Sequence, residues 1–201
     1  MVVSPSNNPA RSMAVPLALL TVVLLVAGCT SGGDRPAAPT ATTAAPPAEL
    51  QVKLVTTARG PERGFNAKRA AKRAAPGVER FLDRYLTTAF VGAAGGKRGW
   101  DELLALFDTP VRAAARKQLD ALSLGAAAPQ VTAVRPKRAN ARAVVLYGRR
   151  PAAATVRLVF DATADTANGS EEIRLRSVLQ LLATRRGWRI AAFDSRTGAP
   201  S

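Results

Sequence analysis

Beyond Pro129 the apolar residues of this chain stop recurring every three or four positions and begin to alternate, which limits the fold to helices packed on a sheet. Upstream, Val78, Phe81, Leu82, Tyr85, Leu86 and Phe90 line one stripe of a helix, and such a stripe must meet a core. The glycines of "VGAAGG" end it. "GWDELLALF", residues 99–107, predicts a short second helix with acids in its first turn. "DTP" then offers Thr109 as a cap and Pro110 at the first position of a third, covering 111–122. Downstream, residues 131–134, 141–149, 155–164, 173–184 and 188–194 read as strands, with turn signals at "RPKRAN", "RRP", "DTANGS" and "TRRG". A hydrophobic share of 47% is enough for one core. The expected class is therefore α+β: three N-terminal helices packed on a bent antiparallel sheet of four to five strands, in a domain over residues 77–198.

The chain before that domain reads as three further pieces. Residues 13–26, "MAVPLALLTVVLLV", form an apolar run of the length of a signal-peptide core and too short for a membrane span, and Arg11 is the charge ahead of it. Val26, Ala27, Gly28 and Cys29 then resemble a bacterial lipobox. The resemblance implies a signal peptide over 1–28, cleavage between Gly28 and Cys29, and thioether attachment of diacylglycerol to the Cys29 thiol. Two or three acyl chains, palmitate among them, hold stably where one holds marginally. Cys29 is the one cysteine, so no disulfide forms within the chain.

Residues 29–48 are nearly all Gly, Pro, Ala, Ser and Thr and have no face to pack, which makes them a disordered linker. At about 3 Å per residue it holds a domain up to roughly 50 to 60 Å from the bilayer. Residues 49–76 are a basic connecting segment. "LQVKLVTTARG" alternates as a strand does, with Leu50, Val52 and Leu54 on one side, whereas "NAKRAAKRAAPG" favours a helix with Lys68, Arg69, Lys72 and Arg73 on one side. Two uses stay open for it: an element resting on anionic headgroups at about 1 kcal/mol per charge, or a solvated basic turn leading into the domain.

The run "VERFLDRYLTTAF" followed by "GWDELLALF", the later helix, the long hairpins and the closing "RRGWRIAAF" resemble the NTF2-like (cystatin-like, cone-shaped) superfamily. Actinobacterial lipoproteins and Mce-associated envelope proteins are the similar members. The resemblance covers roughly residues 77–196. It implies a cone whose open end admits a small apolar ligand, here lined by Phe81, Tyr85, Phe107 and Phe160. In ketosteroid-isomerase-like members a tyrosine on the first helix and an aspartate on an early strand transfer a proton. Tyr85 stands where such a tyrosine would be. The matching aspartate is missing, because "LALF" is followed by the helical "TPVRAAARKQL". Asp161 is out of phase with Val156, Leu158 and Phe160 and points away from the interior, and Asp194 lies near a strand end. No catalytic residue is assigned, and Tyr85 is taken as a core aromatic with its hydroxyl at the rim.

The formal charge of +15 suits an acidic partner, and with no histidine and one cysteine a multi-ligand metal or haem site has nothing to build on. No cofactor is expected. If Val156, Leu158 and Phe160 face the helices, Arg157 faces out; the same alternation sends Arg174, Arg176 and Arg189 outward, and the basic face they make is open to two readings, a site for an anionic partner or a solvated surface of an arginine-rich chain. That face lacks the interleaved aromatics of nucleic-acid binders, so nucleic acid is not the expected partner. The function expected is a non-catalytic interaction or scaffold module of the cell envelope, lipid-anchored on the outer face of the cell membrane. The alternative is a carrier of a lipid or another hydrophobic small molecule in the cone, with an isomerase-like enzyme third.

Overall fold

The computed structural model describes residues 50–61, 63–94 and 99–198. Its sheet has five strands in the order β1 (Val52–Arg59), β2 (Val131–Tyr147), β3 (Pro151–Thr166), β4 (Gly169–Thr184) and β5 (Gly187–Gly198). The last four form an antiparallel meander, and β1 lies parallel to β2. Parallel neighbours need a long crossover. Here it carries α1 (Ala67–Leu86), a π-helical turn over Thr87–Val91, α2 (Gly99–Ala105), α3 (Arg112–Lys117) and α4 (Leu119–Leu122), with 3₁₀ turns at Thr109–Val111 and Gly125–Gln130. The fold is α+β, as its change of period requires.

Alternation puts Ala139, Ala141, Ala143 and Val145 of β2 on the inner face beside Val156, Leu158 and Phe160 of β3. The alanines leave room for larger side chains from the helices. Val78, Leu82, Tyr85 and Leu86 of α1 and Phe90 of the π turn occupy it, each fully buried. Phe90 and Phe160 meet with ring centroids 5.0 Å apart. Beyond β5, Phe107 pairs with Ile190 as an isolated parallel bridge, and the Asp108 N–H donates to the Ile190 carbonyl at 2.8 Å. That short addition covers part of the β5 edge.

Three expectations change in detail. The segment 49–76, read as a connector, contains β1 and the first turns of α1, so folded elements extend upstream of Gly77. Pro76 and Gly77 sit inside α1, where the sequence suggests a boundary. Pro76 is exposed, so the carbonyl its missing N–H leaves free is on the wet side of the helix. At Gly77 a Cβ would stand 3.2 Å from Nε1 of Trp188, so its absence lets the half-buried indole lie on the helix. Next, "RPKRAN" is no turn: β2 runs through it as one strand. Pro136 lies beside a register shift and outside the stretch that β1 covers, where a missing donor costs little. Last, the third predicted helix is two short ones, broken at Gln118.

Candidate functional site

Outward residues of neighbouring strands form rows across the sheet, because paired strands share one alternation. One row runs Val55, Arg142, Arg157, Val178 and Asp194, and the next runs Lys53, Asn140, Val159, Arg176 and Arg196. Arg142 is thus directly opposite Arg157, and Arg176 directly opposite Arg196. All four are exposed. Among the described residues none of them makes an ion pair. Arg157, Val159, Arg176, Val178, Asp194 and Arg196 border a shallow depression of about 320 Å³. Two apolar floors ringed by three guanidinium groups and one carboxylate can take an anion with an apolar body.

The end of the same face toward the β3–β4 turn is arranged differently. Asp161 receives hydrogen bonds from Arg138 at 2.8 Å and from Arg174 at 3.0 Å. Lys137 donates to Glu172 at 2.8 Å, and Arg135 pairs with Asp165, which also accepts from Ser170. The Arg135 bond, then that of Ser170, holds the Asp165 carboxyl below its usual range, and Lys137 does the same for Glu172. Every cation named there has an acid.

Of the four arginines expected on one surface, Arg157 and Arg176 are brought together and free. Arg174 faces the same way, half-buried, and is committed to Asp161. Arg189 sits near the covered edge of β5, where its guanidinium donates to the carbonyls of Ala105 at 2.9 Å and Phe107 at 3.4 Å. Arg142 and Arg196 complete the cluster in place of those two. Alternation from Ala141 and Ala143 points to Arg142, and extending the last strand past Asp194 points to Arg196.

Inside, Phe81, Tyr85, Phe107 and Phe160 all belong to one packed core. The Tyr85 hydroxyl is not at a rim. It is fully buried and donates to the Leu122 carbonyl at 3.0 Å, and burial pushes its pKa far up. Nearby the Ser177 and Ser195 hydroxyls are 2.7 Å apart. Ser123, Ser177 and Ser195 are the polar residues that are buried among the described residues, so no carboxylate is buried there with Tyr85. Asp161 points away from this interior, as its phase requires, and Asp194 is exposed. Gly28 and Cys29 lie outside the described residues, as do the signal peptide and the linker.

Among the described residues no helix is long and apolar enough to cross a membrane, and no group of three or more potential ligands could hold a metal ion. No family model matches the chain, and no curated protein matches it. Among solved structures it is similar to an IcmL-like type IV secretion system protein from Legionella pneumophila subsp. pneumophila str. Philadelphia 1. The identity is 16%, the match covers 71% of this chain and 98% of that chain, and the TM-score is 0.44.

Proposed function

We propose that the chain is a lipid-anchored, extracytoplasmic module of the cell envelope that grips an anionic partner or surface through the centre of its outer sheet face and does not catalyse. The observation that carries this is the placing of Arg142 against Arg157 and of Arg176 against Arg196 with no acid among the described residues bridging either pair. Like charges directly opposite each other destabilise a sheet. An anion from outside relieves that repulsion at the place where it is strongest. The filled core favours this over a carried lipid, because the four residues expected to line a cone cavity are packed against other side chains instead. Tyr85 has its hydroxyl spent on a backbone carbonyl, which favours a structural role for it over proton transfer. The order of the elements, a long helix ahead of a four-stranded meander, supports the NTF2-like assignment, and the lipobox-like residues Val26 to Cys29 support the anchor.

The test is the double reversal Arg157→Glu with Arg176→Glu, assayed by cosedimentation with phosphatidylglycerol vesicles across a salt series. Binding should weaken about tenfold or more and lose most of its salt dependence. Stability should rise, by about 1 kcal/mol at most, since each reversal turns a repulsive cross-strand pair at an exposed position into an attractive one. Binding that ignores both charge reversal and salt would sink the proposal. For the anchor, Cys29→Ser should leave the chain unprocessed and shift it out of the lipidated fraction, since serine lacks the thiolate.

A further inference from the structure

The meander leaves β1 as the first strand of the sheet, and among the described residues nothing pairs with its outer edge. Alternate residues of such a strand direct their N–H and C=O groups away from the sheet, which makes an open edge a template for another strand. Beside it runs a groove of about 330 Å³. Leu54, Thr56 and Ala58 of β1 form one wall, and Ala67, Ala71 and Ala75, four apart on α1, form the other. Alanine at each of those helix positions keeps the wall low enough for a backbone to lie against it. Lys68 and Lys72 stand at its rim, and among the described residues no acid lines it. On the outer side of β1, Lys53, Val55 and Arg59 are exposed, Val55 at 61%.

We propose that this edge is a docking site for an extended, acidic segment of a partner protein, which adds to the sheet as a strand beside β1. The inference rests on the reading of the domain as an interaction module and names the chemistry of one partner. The open backbone groups supply the main-chain bonds, and the side chains supply the selection. On the outer face the added strand meets Lys53, Val55, Thr57 and Arg59 in turn, which calls for a carboxylate, an apolar residue, a small polar residue and a second carboxylate at successive alternate positions. On the inner face it meets alanines under two lysines, which calls for small residues and a further acid. At about 3.3 Å per residue, a segment of about eight residues spans the edge.

Two other occupants fit less well. A second copy of β1 running antiparallel sets Lys53 against Arg59 at both ends, and running parallel it sets each cation against itself. The chain's own preceding residues contain Pro36, Pro39, Pro46 and Pro47, which have no donor for a ladder, and their acids before β1 are Asp34 and Glu49.

The experiment immobilises the full chain and selects from a displayed library of extended decapeptides. Enrichment of sequences with Asp or Glu near both ends of the segment and β-branched residues between them is expected. Binding of a selected peptide should fall about tenfold on Lys68→Glu with Lys72→Glu, all exposed positions that leave the melting temperature unchanged. N-methylation of alternate amides in the peptide should abolish it, and the peptide should slow hydrogen exchange in β1. The Arg157→Glu with Arg176→Glu variant should still capture it. That last arm separates the two readings: capture kept there but lost at Lys68 and Lys72 supports this site, whatever becomes of the arginine cluster. The inference is overturned if no sequence is enriched, if the lysine variants bind as well as the parent, if phosphatidylglycerol vesicles protect β1 and the peptide does not, or if β1 is protected by self-association of the chain.

Discussion

The outer face of the sheet holds two basic regions, one on β2 to β4 and one on β2 to β5, and they treat their charge in opposite ways. Toward the β3–β4 turn, Arg135, Lys137, Arg138 and Arg174 are all held by Asp165, Glu172 and Asp161. In the centre, Arg142 faces Arg157 and Arg176 faces Arg196, and the nearest acid in either row, Asp194, bridges neither pair. The sequence is therefore able to pair cations across these strands and does so a few residues away. Exposed pairs contribute little to stability either way, so the unpaired centre costs the fold a small amount. What it gains is an unneutralised field in one place, where an external anion finds donors already positioned. A basic surface that merely reflected an arginine-rich composition would show no such division.

Two adjacent residues of β3 probe the comparison most strongly. Phe160 faces inward against Phe90, and Phe160→Ala should cost about 3 to 5 kcal/mol, as deletion of a buried aromatic does. Its neighbour Asp161 faces the paired region with a side chain 16% exposed and serves two arginines. Asp161→Ala should cost about 2 kcal/mol, because two guanidinium groups lose a largely desolvated acceptor. Chemical denaturation of both variants checks the order. An Asp161→Ala protein as stable as the parent would mean that the pairs there are ornamental and that the contrast between the regions carries no energy. The same variant should bind phosphatidylglycerol vesicles more tightly, since it converts paired cations into free ones.

Charge reversal in the centre should give a smaller effect of the opposite sign. Arg142→Glu turns a repulsive cross-strand pair into an attractive one with Arg157, and Arg196→Glu does so with Arg176. Each should raise stability by about 0.5 kcal/mol while weakening vesicle binding. A surface substitution that stabilises the fold and impairs binding is the signature of a site held at a cost. Loss of stability instead would mean that the arginines are paired in solution by contacts other than those described.

How far these regions are legible in the sequence depends on what fixes each one. β2 to β5 have one buried face, so a slip of one residue would expose every core side chain, and alternation alone places Arg157, Arg176 and Asp161 correctly. Arg174 and Arg189 lie on the expected side too, but what occupies them comes from elsewhere in the chain: a carboxylate on β3 for one, the carbonyls of Ala105 and Phe107 for the other. Tertiary partners leave no mark on local periodicity. β1 shows the same limit. Its eight residues alternate visibly, yet its pairing with Ala139 to Leu146 spans 87 positions, and nothing in "LQVKLVTTARG" names that partner. Pro76 and Gly77 misdirect because local propensity makes them a boundary, and the indole of Trp188 lying over Gly77 supplies a reason for the glycine that only the packed structure contains.

Acid gives the smallest effect on the fold and erases the contrast. Hydrogen bonds from Arg135 and Lys137 hold Asp165 and Glu172 below their ordinary values of 3.8 and 4.5. A carboxyl with a lowered folded-state pKa stabilises the protein above its unfolded value, and that contribution is lost as the pH falls through the folded one. Asp83 runs the other way: burial, with Glu79 beside it, raises its pKa, so its penalty appears as the pH rises through that raised value. Denaturation from neutral pH to below the lowered values should therefore show a loss that Arg135→Ala with Lys137→Ala removes, and Asp83→Asn should gain stability at neutral pH but none in acid. Once Asp165 and Glu172 are protonated, Arg135 and Lys137 join the centre as free cations, so binding to phosphatidylglycerol vesicles at constant salt should tighten below the ordinary carboxyl range, and a footprint by hydrogen exchange should spread toward the β3–β4 turn. A footprint that stays confined to the central rows at every pH would mean that the geometry of the depression, and not the number of free charges, selects the anion.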